Sequence, residues 1–485
     1  MRTMTENRID RTPLYEEVAG RIIYLVEEGT LKPGERVPSL RDFSRQQQVS
    51  LNTVKEAYAL LEDRRVLEAR PQSGYYVCSR LPEVPREAAP NLPAINPTEV
   101  TISEMGRMIM RDVLNPNLIQ LGAAIPNPEH LPMEKLSRML ASETRRHKVQ
   151  SVSYAITPGS EKLRKEIARR MLKAGATLRP DQLIITTGCM EAVFLALRAT
   201  CHPGDTVAIE SPGYYNVLRL IEELGLRALE IPSTPSEGIS LEALRYALEQ
   251  TRVAAAIVIP NFNNPLGAQM PEARKRELVE LLESYDIPLI EDDIYGDLAF
   301  ADERPTVAQS YSRNDSVLLC SSFSKTLAPG YRVGWIAPGR YYDQVERLKL
   351  TFNIASAAPT QLAVAEFLAN GGYDHHLRAT RRIYAQKVAL LGEAVGRHFP
   401  VGTRVTRPKG GFALWVELPA GCDSMRLYAL AIKEGITIAP GPIFSATDKF
   451  RNYLRINAAF WSERTEGAIQ TLGRLATELL AGRPD

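Results

Sequence analysis

Apolar residues recur every fourth position from Leu14 through Val18 and Ile22 to Val26, the spacing that gives an α-helix one buried face. The turn Lys32-Pro33-Gly34-Glu35 ends this first helix. Pro38-Ser39-Leu40-Arg41-Asp42 opens a second, with Ser39 as its cap and Asp42 at the reciprocal position of a capping box. Ser50 starts a third, in which Val54, Ala57, Tyr58 and Leu61 share a face and leave Asn52, Thr53 and Lys55 largely free. The turn Arg70-Pro71-Gln72-Ser73-Gly74 then leads into the strand Tyr75-Tyr76-Val77. Helix, helix-turn-helix and β-wing in this order predict a winged helix-turn-helix over residues 1–79.

The pattern breaks at residues 80–100, where Pro82, Pro85, Pro90, Pro93 and Pro97 exclude helix and central strand and favour an extended connector. Beyond it, apolar strands alternate with amphipathic helices. Seven strands are expected: Leu183–Thr187, Thr206–Glu210, Arg227–Ile231, Ala254–Pro260, Pro288–Glu291, Val317–Ser321 and Arg332–Ala337. Between them lie helices such as Glu272–Ser284, whose Leu278, Leu281 and Leu282 face inward. Such alternation predicts an α/β fold with a mostly parallel seven-stranded sheet over residues 101–345. From 346 to 485 strands are fewer and helices longer, as in a smaller α+β domain.

Composition narrows the function classes. The 485 residues are 44% apolar and 24% charged, with 59 Lys+Arg against 57 Asp+Glu, so no bulk field marks the chain for nucleic acid or membrane. Residues 1–79 carry 12 basic and 12 acidic side chains, which confines any phosphate contacts to local patches. Cys78, Cys189, Cys201, Cys320 and Cys422 are odd in number and scattered, unlike a disulfide framework or zinc site. The six histidines show no ligand spacing, so no metal is expected, and the pair His375-His376 reads as solvated. Apolar runs such as Val253–Ile259 are far too short to span a bilayer, and the N-terminus lacks a signal-peptide core. A cytoplasmic protein without membrane contact is the expectation.

Ligands of open α/β sheets bind at the carboxyl ends of the strands. Polar groups gather there: Thr187-Gly188-Cys189-Met190-Glu191, Glu210-Ser211-Pro212-Gly213-Tyr214, Asn263-Asn264-Pro265, Asp292-Asp293-Ile294-Tyr295 and Ser321-Ser322-Phe323-Ser324-Lys325, with Arg332 seven residues later. As a set, in this order, they resemble fold-type I aminotransferases dependent on pyridoxal 5'-phosphate (PLP), over roughly residues 100–485. The resemblance implies that Lys325 carries PLP as a Schiff base. It makes Asp292 the partner of the pyridine nitrogen, in preference to Asp293, because the family places that carboxylate three residues before the tyrosine. Tyr295 and Asn264 would bond the ring hydroxyl, and Tyr214 would stack on the ring. Ser322, Ser324, Arg332 and the Gly188–Met190 backbone would bind the phosphate. Cys189 and Met190 stand where many relatives have a small hydroxyl residue and glutamine. Arg455, in Tyr453-Leu454-Arg455-Ile456-Asn457, matches the arginine that grips the substrate α-carboxylate. Tyr154 resembles the tyrosine that reaches the neighbouring subunit's phosphate, which implies a shared site and a dimer.

Residues 14–77 resemble the GntR-type winged helix, through Leu31–Arg41, Val49–Val54 and Gly74–Val77. That likeness implies DNA contacts from Ser39, Arg41, Arg45, Ser50, Leu51, Asn52, Thr53, Lys55, Arg70 and Gly74, with Leu51 on a thymine methyl where relatives commonly have arginine. The two likenesses in one chain resemble the MocR/GabR-type regulators of the GntR family, usually head-to-tail homodimers. They imply an operator-binding regulator in which an amino-acid or amine effector forms an aldimine at the Lys325 site and alters DNA binding. The alternative is a working aminotransferase that carries a DNA-binding domain.

Overall fold

The computed structural model describes residues 13–27, 30–32, 34–63, 66–70, 73–78, 97–100, 112 and 115–482. The chain divides into two compact units, Met1–Glu83 and Val84–Asp485. The proline-rich connector falls at residues 79–96, outside the described residues.

In the first unit, helices Leu14–Glu27, Leu40–Gln47 and Leu51–Asp63 precede an antiparallel hairpin of Leu67–Arg70 and Gly74–Val77. Val18, Ile22, Phe43, Val54, Tyr58, Leu61, Leu67 and Val77 close one core. Leu14, expected on the buried face, is instead exposed, because it lies at the first residue of its helix, beyond the turns that pack on the core. Ser39 accepts the Asp42 N–H at 3.2 Å, a cap worth about 1 kcal/mol. Asp42 does not complete the reciprocal box. Its carboxylate takes the Ser39 hydroxyl at 2.6 Å and Arg45 at 3.1 Å instead.

In the second unit all seven expected strands form, as Ile184–Thr186, Thr206–Ser211, Arg227–Thr234, Ala255–Val258, Leu289–Asp292, Val317–Ser322 and Gly334–Ala337. The sheet order runs Arg227–Thr234, Thr206–Ser211, Ala255–Val258, Leu289–Asp292, Val317–Ser322, Gly334–Ala337, Ile184–Thr186. The first five are mutually parallel, and Gly334–Ala337 runs against both its neighbours. Two short additions complete nine strands: Gly238–Ile239, and Thr98–Glu99 on the Arg227 edge. The last residues of the expected 80–100 connector thus belong to the sheet. Successive side chains leave opposite faces: Leu289 packs with Leu278 and Leu282 of helix Glu272–Ser284, while Ile290 packs with Leu195 and Val193 of helix Cys189–Thr200.

The smaller domain is a four-stranded antiparallel sheet, Arg404–Val405, Ala413–Glu417, Tyr453–Asn457 and Ala439–Pro440, covered by helices Ser424–Lys433 and Glu463–Leu480. In the long helix Gly372–His398, Tyr373, Leu377 and Tyr384 pack with the large domain, and Val388, Leu391 and Val395 with the small one. His376 is not solvated: it is 9% exposed, with Nε2 2.8 Å from the Thr326 carbonyl, because it faces the large domain from that helix. Among the described residues no helix is long and apolar enough to cross a membrane, and no acidic, His or Cys group is arranged to hold a metal.

Candidate cofactor and DNA sites

Strand ends bring most of the expected residues to one place. Asp292 closes strand Leu289–Asp292 beside Cys320 of strand Val317–Ser322, which ends in Ser322 and leads into Lys325. The half-buried Lys325 amine donates to the Ala124 carbonyl at 2.6 Å. Burial and the nearby Arg455 guanidinium push its pKa down to about 8, against the pull of Asp292. A lysine so placed supplies a neutral, nucleophilic amine near physiological pH.

Asp292 is buried and accepts the Cys189 thiol at 3.2 Å and the Ile294 N–H at 3.1 Å, both on Oδ1. Burial raises its pKa to about 6, with those two donors opposing the rise. Asp293 points elsewhere: it is bound by Arg304 and accepts Asn261 Nδ2 at 2.9 Å, in a buried cluster with Asp297 and Arg170. Of the two neighbouring carboxylates, Asp293 is thus committed to the arginine cluster and Asp292 is not.

Near the same strand ends, Gly188 precedes helix Cys189–Thr200 with φ +91°. The first-turn N–H groups of such a helix lack intrahelical partners and favour an anion. Arg332 reaches across, donating to the Thr187 carbonyl at 2.8 Å and to Ser324 Oγ at 3.2 Å, while Ser322 Oγ accepts the Ser324 N–H at 3.3 Å. A Cβ built on Gly188 would lie 2.3 Å from Arg332 Nη2, and one on Gly334 would lie 2.5 Å from the Gly188 carbonyl carbon, so both positions need glycine for close approach. Met190 is half-buried in the first turn. The Cys189 side chain is turned to Asp292, so it makes no replacement for the missing hydroxyl at the anion cradle.

Arg455 is fully buried on strand Tyr453–Asn457. Nη1 donates to Asn264 Oδ1 at 2.7 Å, Nη2 to the Gly122 carbonyl, and Nε has no partner. An unpartnered guanidinium N–H in a buried site suits a ligand carboxylate. Tyr295 is buried and bonded to Asn264, and burial raises its phenol pKa. Tyr214, at the N-terminus of helix Tyr215–Glu223, accepts Asn216 Nδ2 at 2.7 Å and meets Tyr215 edge-on. Tyr154 is 77% exposed, and Val149, Val152, Ile156, Phe352 and Ile354 are exposed as well.

Some participants escape the sequence motifs. Glu191 takes the Thr187 N–H and is itself held by Lys349 at 2.9 Å and Asn353 at 2.8 Å, which braces the cradle from behind. Lys349 is 1% exposed, yet nothing in its helical context distinguishes it from a surface lysine. The glycine inside strand Gly334–Ala337 was a legible signal of close backbone approach.

On the first unit, Ser50 caps the recognition helix through the Thr53 N–H at 3.1 Å, and Leu51, Asn52 and Lys55 are exposed. Arg45 is paired with Asp42, and Arg70 with Glu68 at 2.6 Å while lying over the Tyr76 ring at 4.3 Å. Arg41 is exposed, near the cap Ser39, and Gly74 opens the second wing strand.

Comparison with known proteins agrees with this two-part architecture. Residues 120–472 match the family described as aminotransferase class I and II, and residues 14–77 match the bacterial regulatory proteins of the gntR family. The uncharacterized HTH-type transcriptional regulator YjiR of Escherichia coli (strain K12) is 40% identical over 461 residues, 95% of this chain and 98% of that protein. The chain belongs to the GntR-family regulators that carry an aminotransferase-like domain. A second such regulator of E. coli, YdcR, is 38% identical over 96% of this chain and 99% of its own length. The α-aminoadipate aminotransferase LysN of Thermus thermophilus, solved with N-(5'-phosphopyridoxyl)-L-leucine, superimposes with a TM-score of 0.72 at 28% identity, covering 79% of this chain and 97% of that one. The aminotransferase class I and II family is PLP-dependent.

Proposed function

We propose that this GntR-family regulator binds PLP at Lys325 and that an amino-acid or amine effector, received at the same site, alters its grip on operator DNA. The observation that carries this reading is the pairing of a low-pKa lysine amine with a fully buried arginine whose Nε is unpartnered. The first suits an aldehyde and the second a carboxylate, the two ends of an amino acid docked on PLP. LysN, a similar fold solved with N-(5'-phosphopyridoxyl)-L-leucine, supports an amino acid joined to the pyridoxyl group as the kind of ligand.

Bound there, PLP supplies an aldehyde carbon that exchanges one amine for another and a ring that accepts electron density. The chain's residues do the rest. Asp292 keeps the ring nitrogen protonated, and Tyr295 and Asn264 hold the ring hydroxyl. Tyr214 covers the ring. Gly188, Cys189 and Met190 offer backbone N–H groups, and Ser322, Ser324 and Arg332 side-chain donors, to the phosphate. Arg455 orients an effector carboxylate. The exposed apolar face around Tyr154 fits a second copy of the chain, in a head-to-tail homodimer whose partner's site receives that tyrosine. The cytoplasm, where operators lie, is the place of action.

The lysine pKa sets a pH dependence. With the amine titrating at about 8, its neutral fraction rises about tenfold between pH 7 and pH 9. The initial rate of PLP capture, followed by visible absorbance, rises by a similar factor over that window, and a rate that is flat or falls contradicts the assigned nucleophile.

For DNA, helix Leu51–Asp63 enters the major groove with Leu51, Asn52, Thr53 and Lys55, while Ser39, Ser50, Arg41, Arg45, Arg70 and the Gly74 wing approach phosphates. Arg41→Ala weakens operator binding and reduces the salt slope by about 0.9 per half-site, as expected for one lost phosphate contact. Titrations at several salt concentrations test this; an unchanged slope removes Arg41 from the interface.

A working aminotransferase remains the second reading, because Lys325, Asp292, Tyr295 and Arg455 fill the main catalytic positions. An absorbance screen of amino acids and amines against the PLP-loaded chain separates the two. Sustained conversion of a keto-acid partner favours the enzyme, and one stoichiometric spectral change that alters operator affinity favours the regulator.

A further inference from the structure

Four consecutive backbone carbonyls, Gly122 to Ile125, are each taken by a side chain of the proposed site or its immediate neighbour. Gly122 O accepts Arg455 Nη2, and Ala124 O accepts Lys325 Nζ at 2.6 Å. Ala123 O and Ile125 O both accept Asn457 Nδ2, at 2.7 and 2.8 Å, from an asparagine that is fully buried two residues beyond Arg455. The segment's amides are held as well. Leu121 N and Gly122 N donate to Thr437 Oγ1 at 3.0 and 2.9 Å, and Ile125 N donates to Ala123 O at 2.9 Å. Just before it, Ile119–Gln120 pairs in parallel with Ile436–Thr437 of the small domain. Loop carbonyls ordinarily face water; here Ala123 and Ala124 are buried, 2% and 6% exposed.

We propose that Gly122–Ile125 is the element that reads the state of the site, and that Asn457 is the positioning residue that presents it to Lys325 and Arg455. This rests on the roles given above to those two residues, and it names how their occupancy leaves the site. When PLP captures the lysine, the amine nitrogen bonds the aldehyde carbon, the aldehyde oxygen departs as water, and Ala124 O loses its donor. An effector carboxylate on Arg455 competes in the same way for the guanidinium that holds Gly122 O. Both events act on one stretch of backbone. Asn457 keeps its two bonds throughout, so the segment shifts as a unit instead of fraying.

Hydrogen exchange on the full-length chain tests this. Without PLP, the Gly122 and Ile125 amides of Lys325→Ala exchange about fivefold faster than those of the parent, because one anchor is gone. PLP loading of the parent moves the same amides in the same direction, while helix Glu272–Ser284 stays unchanged. Asn457→Ala speeds the segment in every state and abolishes the effector-dependent change in operator affinity, although borohydride-reducible PLP capture persists. Equal exchange in unloaded parent and Lys325→Ala overturns the inference, and neither chain depends on Asn457→Ala folding. Failure of the parent to capture PLP is a separate result that removes the proposed function, whereas capture without any response at Gly122–Ile125 removes this inference alone.

Discussion

Lys325→Ala, soaked in PLP and treated with borohydride, carries no covalent adduct, whereas the parent chain carries one per subunit. The expectation follows from what other lysines near the strand ends are doing. Lys349 is committed to Glu191 and Ser356, and Lys275 is buried against Asn261 and the Thr306 carbonyl. Each would have to abandon buried partners to attack, leaving polar groups unsatisfied at about 1–3 kcal/mol apiece. Lys325 has only the Ala124 carbonyl to leave, and its lowered pKa provides the neutral amine. The substitution leaves Gly188, Ser322, Ser324 and Arg332, the proposed phosphate donors, in place, so weak, non-covalent PLP binding is expected to persist. Denaturing mass measurement distinguishes the two forms, and an adduct that survives in Lys325→Ala moves the covalent role to another residue.

Arg455→Lys separates effectors by whether they carry a carboxylate. Charge-assisted hydrogen bonds are worth about 1.5–3 kcal/mol each, so losing a two-pronged grip weakens amino-acid binding about a hundredfold or more. Lysine keeps the charge but cannot reproduce the planar fork that holds Asn264 while turning other N–H groups to a ligand. Amines without a carboxylate never use that grip and should bind the PLP-loaded variant within about threefold of the parent. Spectral titration with an α-amino acid and its decarboxylated amine reads the ratio directly. If both ligands weaken equally, Arg455 acts through the fold of the site and not on the carboxylate.

Much of the architecture was legible because local patterns were unambiguous. The stripe Val54, Ala57, Tyr58 and Leu61, and the alternation that builds all seven central strands, are short-range signals that packing then uses. Ends of elements were less legible. Leu14 continues its stripe in sequence but falls past the turns that reach the core. His376 looks polar in sequence, yet the long helix Gly372–His398 turns it toward the large domain and the Thr326 carbonyl. The sharing of that helix between two cores left no mark, since a continuous helical period carries one apolar face across both. The position of Asp292 and Ser322 at strand ends was legible, because each closes an apolar run that reads as a strand. The supporting contacts were not: Cys189 on Asp292, Lys349 behind Glu191, and the Ala124 carbonyl against Lys325 join positions 103, 158 and 201 residues apart. Spacing along a chain carries no record of such pairings until the sheet order is known.

The measurement that bears most directly on the account is peptide mapping of the wild-type chain after PLP loading and borohydride reduction. The account predicts one phosphopyridoxyl group per chain, on the peptide containing Lys325. An unmodified Lys325 peptide from protein whose fold is intact, or a modification placed on a different lysine, would contradict it.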